Sequence, residues 1–143
     1  MFKLDTDLRL SKWAELRTRV ETSETPYTDV CEFWNSAPYT PFNRRIDPYY
    51  QKSWPTPWEI ISENQYDDFT KAIMIAWTLR CTSRFKTEHI ELRTYVDKNR
   101  TIVYNVVVIG NQALNFSDSG PTDVADIDLD FMLENLIDFN FEL

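Results

Sequence analysis

The residues that could do chemistry in this 143-residue chain are few: one histidine, His89, two cysteines, Cys31 and Cys81, and an acidic triplet, Tyr66-Asp67-Asp68. Cys31 and Cys81 form no Cys-x-x-Cys pair, and one histidine does not complete a zinc ligand set, so no metal and no cofactor is expected. Both thiols read most simply as buried groups in a reducing compartment. Asp126, Asp128 and Asp130 have the spacing of a calcium loop's first ligands. Phe131, however, stands where that loop needs its glycine, and Ile137 where it needs a bidentate glutamate. An enzyme built on Tyr66, Asp67 and Asp68 is a minor reading, because two carboxylates at the start of a helix serve more simply to cap it.

The elements around these residues follow from periodicity. Trp13, Leu16 and Val20 recur at helical spacing between about Ser11 and Glu21. Thr25 and Pro26 announce a second helix carrying Tyr27, Val30, Cys31 and Trp34. Residues 35–55 contain Pro38, Pro41, Pro48 and Pro55 among Tyr39, Phe42, Tyr49, Tyr50 and Trp54. So apolar a loop is no disordered linker; it is an ordered strap or a contact surface. Thr56, Pro57 and Glu59 make a capping box with proline at the first helical position. A second helix opens at Asp67-Asp68 and stays apolar on nearly every side through Leu79, which predicts a buried central helix.

Beyond it the period changes to two. Ile90, Leu92, Thr94 and Val96 alternate with charged residues, 97–100 turn, 101–109 form a β-branched run buried on both faces, and Gly110-Asn111-Gln112 lead into a third strand over 113–116. Leu129, Met132, Leu133, Leu136 and Ile137 fall on one helical stripe, predicting a C-terminal amphipathic helix from Asp128 that covers the core. The expected architecture is therefore one α+β domain. Its helical N-terminal part is 1–34, followed by a strap over 35–55, a helix and a three-stranded antiparallel core over 56–116, and an acidic helix over 117–143.

The stretch from Trp54 to Phe69, Trp-Pro-Thr-Pro-Trp-Glu-Ile-Ile-Ser-Glu-Asn-Gln-Tyr-Asp-Asp-Phe, resembles the transglutaminase-like cysteine peptidases, a papain-like family. In that family a Trp-x-Thr-Pro-x-Glu helix leads into an acidic turn whose cysteine opens the core helix. The resemblance spans roughly 46–118. It places Tyr66 at the nucleophilic cysteine, Asn105 of Tyr-Asn-Val-Val-Val at the histidine, and Asn115 or Asp118 at the residue that orients it. A tyrosine hydroxyl titrates near pH 10 and an asparagine relays no proton at neutral pH, so the implied site is degenerate and non-catalytic. Cys81 cannot replace the nucleophile, since it lies about 22 Å further along the helix axis, and His89 precedes the first strand, at the wrong end for a base. Over most of its length the chain also resembles small uncharacterised proteins of contractile-tailed marine cyanobacterial phages. That likeness implies a virion or host-cytoplasm location and other virion or assembly proteins as partners.

Charge narrows the classes further. All fifteen Lys and Arg lie at or before Arg100, and the acids from Asp118 onward carry the entire net charge of −8. A nucleic-acid partner is not expected, because phosphate binding needs a clustered positive surface. Nor is a membrane, for want of a signal-like segment or an apolar run of about 18 residues. The expected contact residues are Tyr39, Phe42, Tyr49, Tyr50 and Trp54 on the strap, and Asp130, Glu134 and Asp138 on the acidic segment. Together they suggest a structural or protein-interaction component. The alternative is a soluble acidic inhibitor or host-takeover factor that binds a basic protein surface.

Overall fold

The structure, a computed structural model, describes residues 1–41 and 46–141. Five helices pack with an antiparallel sheet in the order β4-β3-β2-β1-β5. The helices are α1 (Thr6–Thr22), α2 (Pro26–Asn35), α3 (Pro57–Glu63), α4 (Asp68–Arg80) and α5 (Val124–Asp130). The strands are β1 (Ile90–Val96), β2 (Val103–Ile109), β3 (Gln112–Ser117), β4 (Gly120–Asp123) and β5 (Met132–Asp138).

Helix α4 is the centre of the molecule. From Phe69 to Leu79 every residue except Lys71 is buried, as its all-round apolar sequence predicts. One side meets Ile90, Leu92, Val107, Ile109 and Leu114 of the sheet. The others meet Trp13, Leu16 and Val20 of α1, Val30, Cys31 and Trp34 of α2, and Ile60 and Ile61 of α3. Two of those core residues are tryptophans, whose indole N–H groups must find acceptors without water. Thr78 supplies one for both. Its hydroxyl accepts from Trp13 Nε1 at 2.9 Å and Trp34 Nε1 at 3.1 Å, and donates to the Met74 carbonyl at 2.6 Å. One donor and two acceptor sites are thereby all used.

The caps explain the helix ends. Asp5 accepts from Leu8 N at 3.0 Å, so α1 starts at Thr6, about two turns before Trp13 opens its apolar repeat. Thr56 and Glu59 form the reciprocal capping box, and α3 stops at Asn64 in the left-handed conformation. Asp67 caps α4 through Thr70 N at 2.7 Å. Cys81 is the C-cap of α4, and Tyr66 precedes the helix rather than belonging to it.

The segment after β3 departs from the expected helix. Only Val124–Asp130 is helical, and Met132–Asp138 is a strand on β1 with Leu92 opposite Ile137 and Val96 opposite Met132. Both the predicted helix over 128–138 and the three-stranded sheet are thus corrected. The stripe of Leu129, Met132, Leu133, Leu136 and Ile137 satisfied helical spacing, but Phe131, Asn135, Asp138 and Phe139 are weak helix formers. β1 would otherwise leave a row of unpaired backbone groups at its edge. Of the stripe only Ile137 packs on the main core. Leu129, Met132, Leu133 and Leu136 are exposed rather than covering it. Strand β4 was also not expected. It pairs with β3 beyond a turn at Asp118-Ser119, where Gly120 adopts a φ of 114° that disfavours a side chain.

Because β4 and β5 lie at opposite edges, the chain must cross the sheet between them, and α5 makes that crossing on the face away from α4. Ile127 seals a smaller core there with Tyr95, Val106, Val108 and Ala113, edged by Tyr104, Phe116 and Phe131. β2 is consequently buried on both faces from Val106 to Ile109.

Replacing Thr78 by valine preserves shape and strands two buried indole donors. We expect a loss of about 3 kcal/mol in urea unfolding, against about 1 kcal/mol for Thr78→Ser, which keeps the hydroxyl and deletes a methyl group. Equal losses in the two variants would show that packing, not hydrogen bonding, sets the value of this position.

Candidate functional site

The three positions Tyr66, Asn105 and Asn115 are placed by different elements, and the structure brings only two of them together. Asn105 sits on β2 with its side chain on the α4 face, as its parity with Val107 and Ile109 requires. Asn115, by that alternation, should face away. A φ of 75° reverses it, a conformation asparagine tolerates better than most residues.

Asn105 and Asn115 meet on Asp68, in the first turn of α4. Asp68 Oδ2 accepts from Asn105 N and Asn105 Nδ2, both at 3.0 Å, and Oδ1 accepts from Asn115 Nδ2 at 3.1 Å. Asn115 Nδ2 also donates to the Asn105 carbonyl at 2.8 Å, extending the β2–β3 pairing past its last backbone register at Val107 and Leu114. Thr94 Oγ1 reaches Asn105 Oδ1 at 3.2 Å, which ties in β1. Burial raises the Asp68 carboxyl above its ordinary range, and the hydrogen bonds from Asn105 and the charge of Lys71 only partly offset it. The arrangement fastens the N-terminus of the central helix to three strands. Its amides cannot exchange protons near neutral pH, so the cluster holds a carboxylate without activating it.

Tyr66 goes elsewhere. Its ring is fully buried between Phe2, at a centroid distance of 5.6 Å, and Trp34, at 5.5 Å. Its hydroxyl has no hydrogen-bond partner among the described residues, and burial pushes it well above the usual phenol range. A phenol so placed is neither accessible nor near ionisation. Asp67 is occupied in capping α4, and Asp118, the other candidate for the third position, is exposed in the β3–β4 turn. The thiols are similarly unreactive in setting. Burial raises both, Cys31 within the core and Cys81, half-buried, to about 11.

The expected contact residues divide. Tyr39, Tyr49 and Tyr50 are exposed at 71%, 84% and 57%, whereas Trp54 is half-buried, packs on Phe69 and Phe141 and donates to the Asp47 carbonyl at 2.6 Å. Trp54 is therefore an anchor of the strap rather than a free contact. Phe42 lies outside the described residues. Asp130, Glu134 and Asp138 are exposed, with Glu134 paired to Arg100 at 3.3 Å and Asp138 to His89 at 3.6 Å.

Sequence reasoning passed over one cluster. His89, just before β1, lies 3.0 Å from Glu91 Oε2 as well as beside Asp138. The signal was present: His-x-Glu at a spacing of two puts both side chains on one face of a strand. The third member was hidden because Asp138 was assigned to a helix.

No protein-family model matches the chain, and no curated protein sequence matches it. What the fold defines is an α+β domain with its helices packed on a five-stranded antiparallel sheet. Among the described residues, no helix is long and apolar enough to cross a membrane.

Asp68 makes a prediction about pH. Its folded-state pKa lies above the unfolded 3.8, so the folded chain holds a proton that the unfolded chain has released. Its stability contribution is therefore lost as pH rises through the raised pKa. Asp68→Asn removes that dependence. Whatever its fixed offset, the variant should gain on the wild type in urea melts as pH rises from the unfolded value of 3.8 through the raised folded one. Parallel pH profiles would contradict this account of the carboxylate.

Proposed function

We propose that this chain is a non-catalytic, transglutaminase-like domain that works by binding protein, as a structural or assembly component of a phage particle. The observation that carries the reading is the strap. It is held firmly at both sides, by Thr40 N to the Tyr66 carbonyl at 2.9 Å, by buried Ile46, and by Trp54 against Phe69. Beside these anchors Tyr39, Tyr49 and Tyr50 stay in water. Tyrosine offers a large amphipathic ring to a partner, and a ring carried next to an anchored residue loses little entropy on binding. The degenerate positions fit the same reading: Tyr66 serves the aromatic core and Asn105 serves a latch, which leaves no nucleophile and base in contact.

A second reading, an acidic inhibitor or host-directed factor that binds a basic protein surface, is favoured by the one-sided charge. Asp126, Asp128, Asp130, Glu134 and Asp138 are all exposed, with no Lys or Arg after Arg100. The two readings separate by location, since a virion component is recovered from purified particles at fixed copy number and a host-directed factor is absent from them.

The strap is tested by Tyr39→Ser, Tyr49→Ser and Tyr50→Ser combined. Stability should stay within about 0.5 kcal/mol of wild type, as for other surface changes. Incorporation into particles should fall by about tenfold or more, the cost of losing interface aromatics. In a salt series, neutralising Asp130 and Glu134 should weaken and flatten association only if the acidic face takes part. Normal incorporation of the triple tyrosine variant would remove the strap from the interface.

A further inference from the structure

We propose that His89, Glu91 and Asp138 form a surface site for a divalent transition-metal ion of the zinc class, clamping edge strand β5 onto β1. This goes beyond the binding role above and does not depend on it. The three side chains come from the residue preceding β1, from β1 itself and from the end of β5, and their donor atoms all lie within 4.8 Å of one another. His89 Nε2 is 3.0 Å from Glu91 Oε2 and 3.6 Å from Asp138 Oδ1. Zinc bonds of about 2.0–2.1 Å at tetrahedral angles set donors about 3.3 Å apart, so these separations bracket the requirement.

Two features favour a cation there. Glu91 and Asp138 are directly opposite in the β1–β5 register, where two like charges repel unless something positive lies between them. Glu91 is already oriented: Arg93 holds Oε1 through Nε at 2.9 Å and Nη2 at 2.8 Å, which leaves Oε2 turned to His89. A carboxylate fixed through its second oxygen is the usual support of a metal ligand. One nitrogen and two oxygens suit zinc or its first-row neighbours, whereas magnesium and calcium select all-oxygen shells.

The test uses the full chain without a histidine tag, stripped with chelator and titrated with ZnCl2 by calorimetry, with Co2+ absorption as a probe of geometry. One ion per chain should bind at sub-millimolar concentration, the melting temperature should rise with zinc by linkage, and MgCl2 should do neither. His89→Ala and Asp138→Asn change exposed side chains, so both variants should stay folded, and each should lower zinc affinity by about tenfold or more. The proposal is overturned if no zinc is taken up, if magnesium binds equally, or if uptake is unchanged in either variant, which would place the ion on the acidic segment instead.

Discussion

A single threonine hydroxyl decides whether the helical half of this protein can close. Trp13 and Trp34 bring large apolar surfaces to the core, and each brings an N–H that cannot be left dry. Both are answered by Thr78, on the face of α4 that α1 and α2 share. Leaving one such donor unmet costs about 1–3 kcal/mol, comparable to what burying a sizeable side chain contributes. The packing of three helices is thus conditional on one oxygen. Because that oxygen also returns its proton to the Met74 carbonyl, the node adds no unmet group of its own.

The start of α4, where it meets the sheet, is organised by a second, half-buried polar group with another logic. Thr78 is neutral and its valences are all used, while Asp68 carries charge into a place that resists it and is retained because three amide donors converge on it. The two fix different degrees of freedom. The threonine sets how α1 and α2 lie on the helix, and the aspartate sets where the helix begins relative to β2 and β3. Asn115 shows how strongly this second constraint acts, since the strand gives up its alternation at that residue to deliver the amide.

Legibility in the sequence follows the range of the interactions. Caps are local, so Thr56, Pro57 and Glu59 declared α3 without ambiguity, and the apolar circumference of α4 declared its burial. The alternation from Ile90 to Val96 and the Gly110-Asn111 turn likewise placed β1, β2 and β3. The segment after β3 was misjudged because its apolar residues satisfied helical spacing while the deciding factor, the open edge of β1, lay some forty residues earlier in the chain. The candidate site was legible only as a set of positions. That Asn105 and Asn115 share a partner depends on a left-handed φ which no residue pattern announces, and that the partner is Asp68 rather than Tyr66 depends on the aromatic cluster drawing Tyr66 the other way.

The outer face of β1 joins these parts. Because side chains two apart share a face, Glu91, Arg93 and Tyr95 stand in a row continued by His89. Each touches the next: His89 to Glu91, Glu91 to Arg93, Arg93 Nη1 to the Tyr95 hydroxyl at 2.9 Å, and that hydroxyl to Asp128 of α5 at 2.8 Å. Asp138 of β5 meets the row at its other end. The crossing helix and the edge strand, the two elements the chain adds after its four-stranded antiparallel run, are therefore both tied to one strand through this row. Its middle members, Glu91, Arg93 and Tyr95, are largely shielded from water, and they tolerate that because they satisfy one another in sequence. Arg93 matches the charge of Glu91 alone, so negative charge is left over at both ends of the row, on Asp138 beside His89 and on Asp128 beside the Tyr95 hydroxyl.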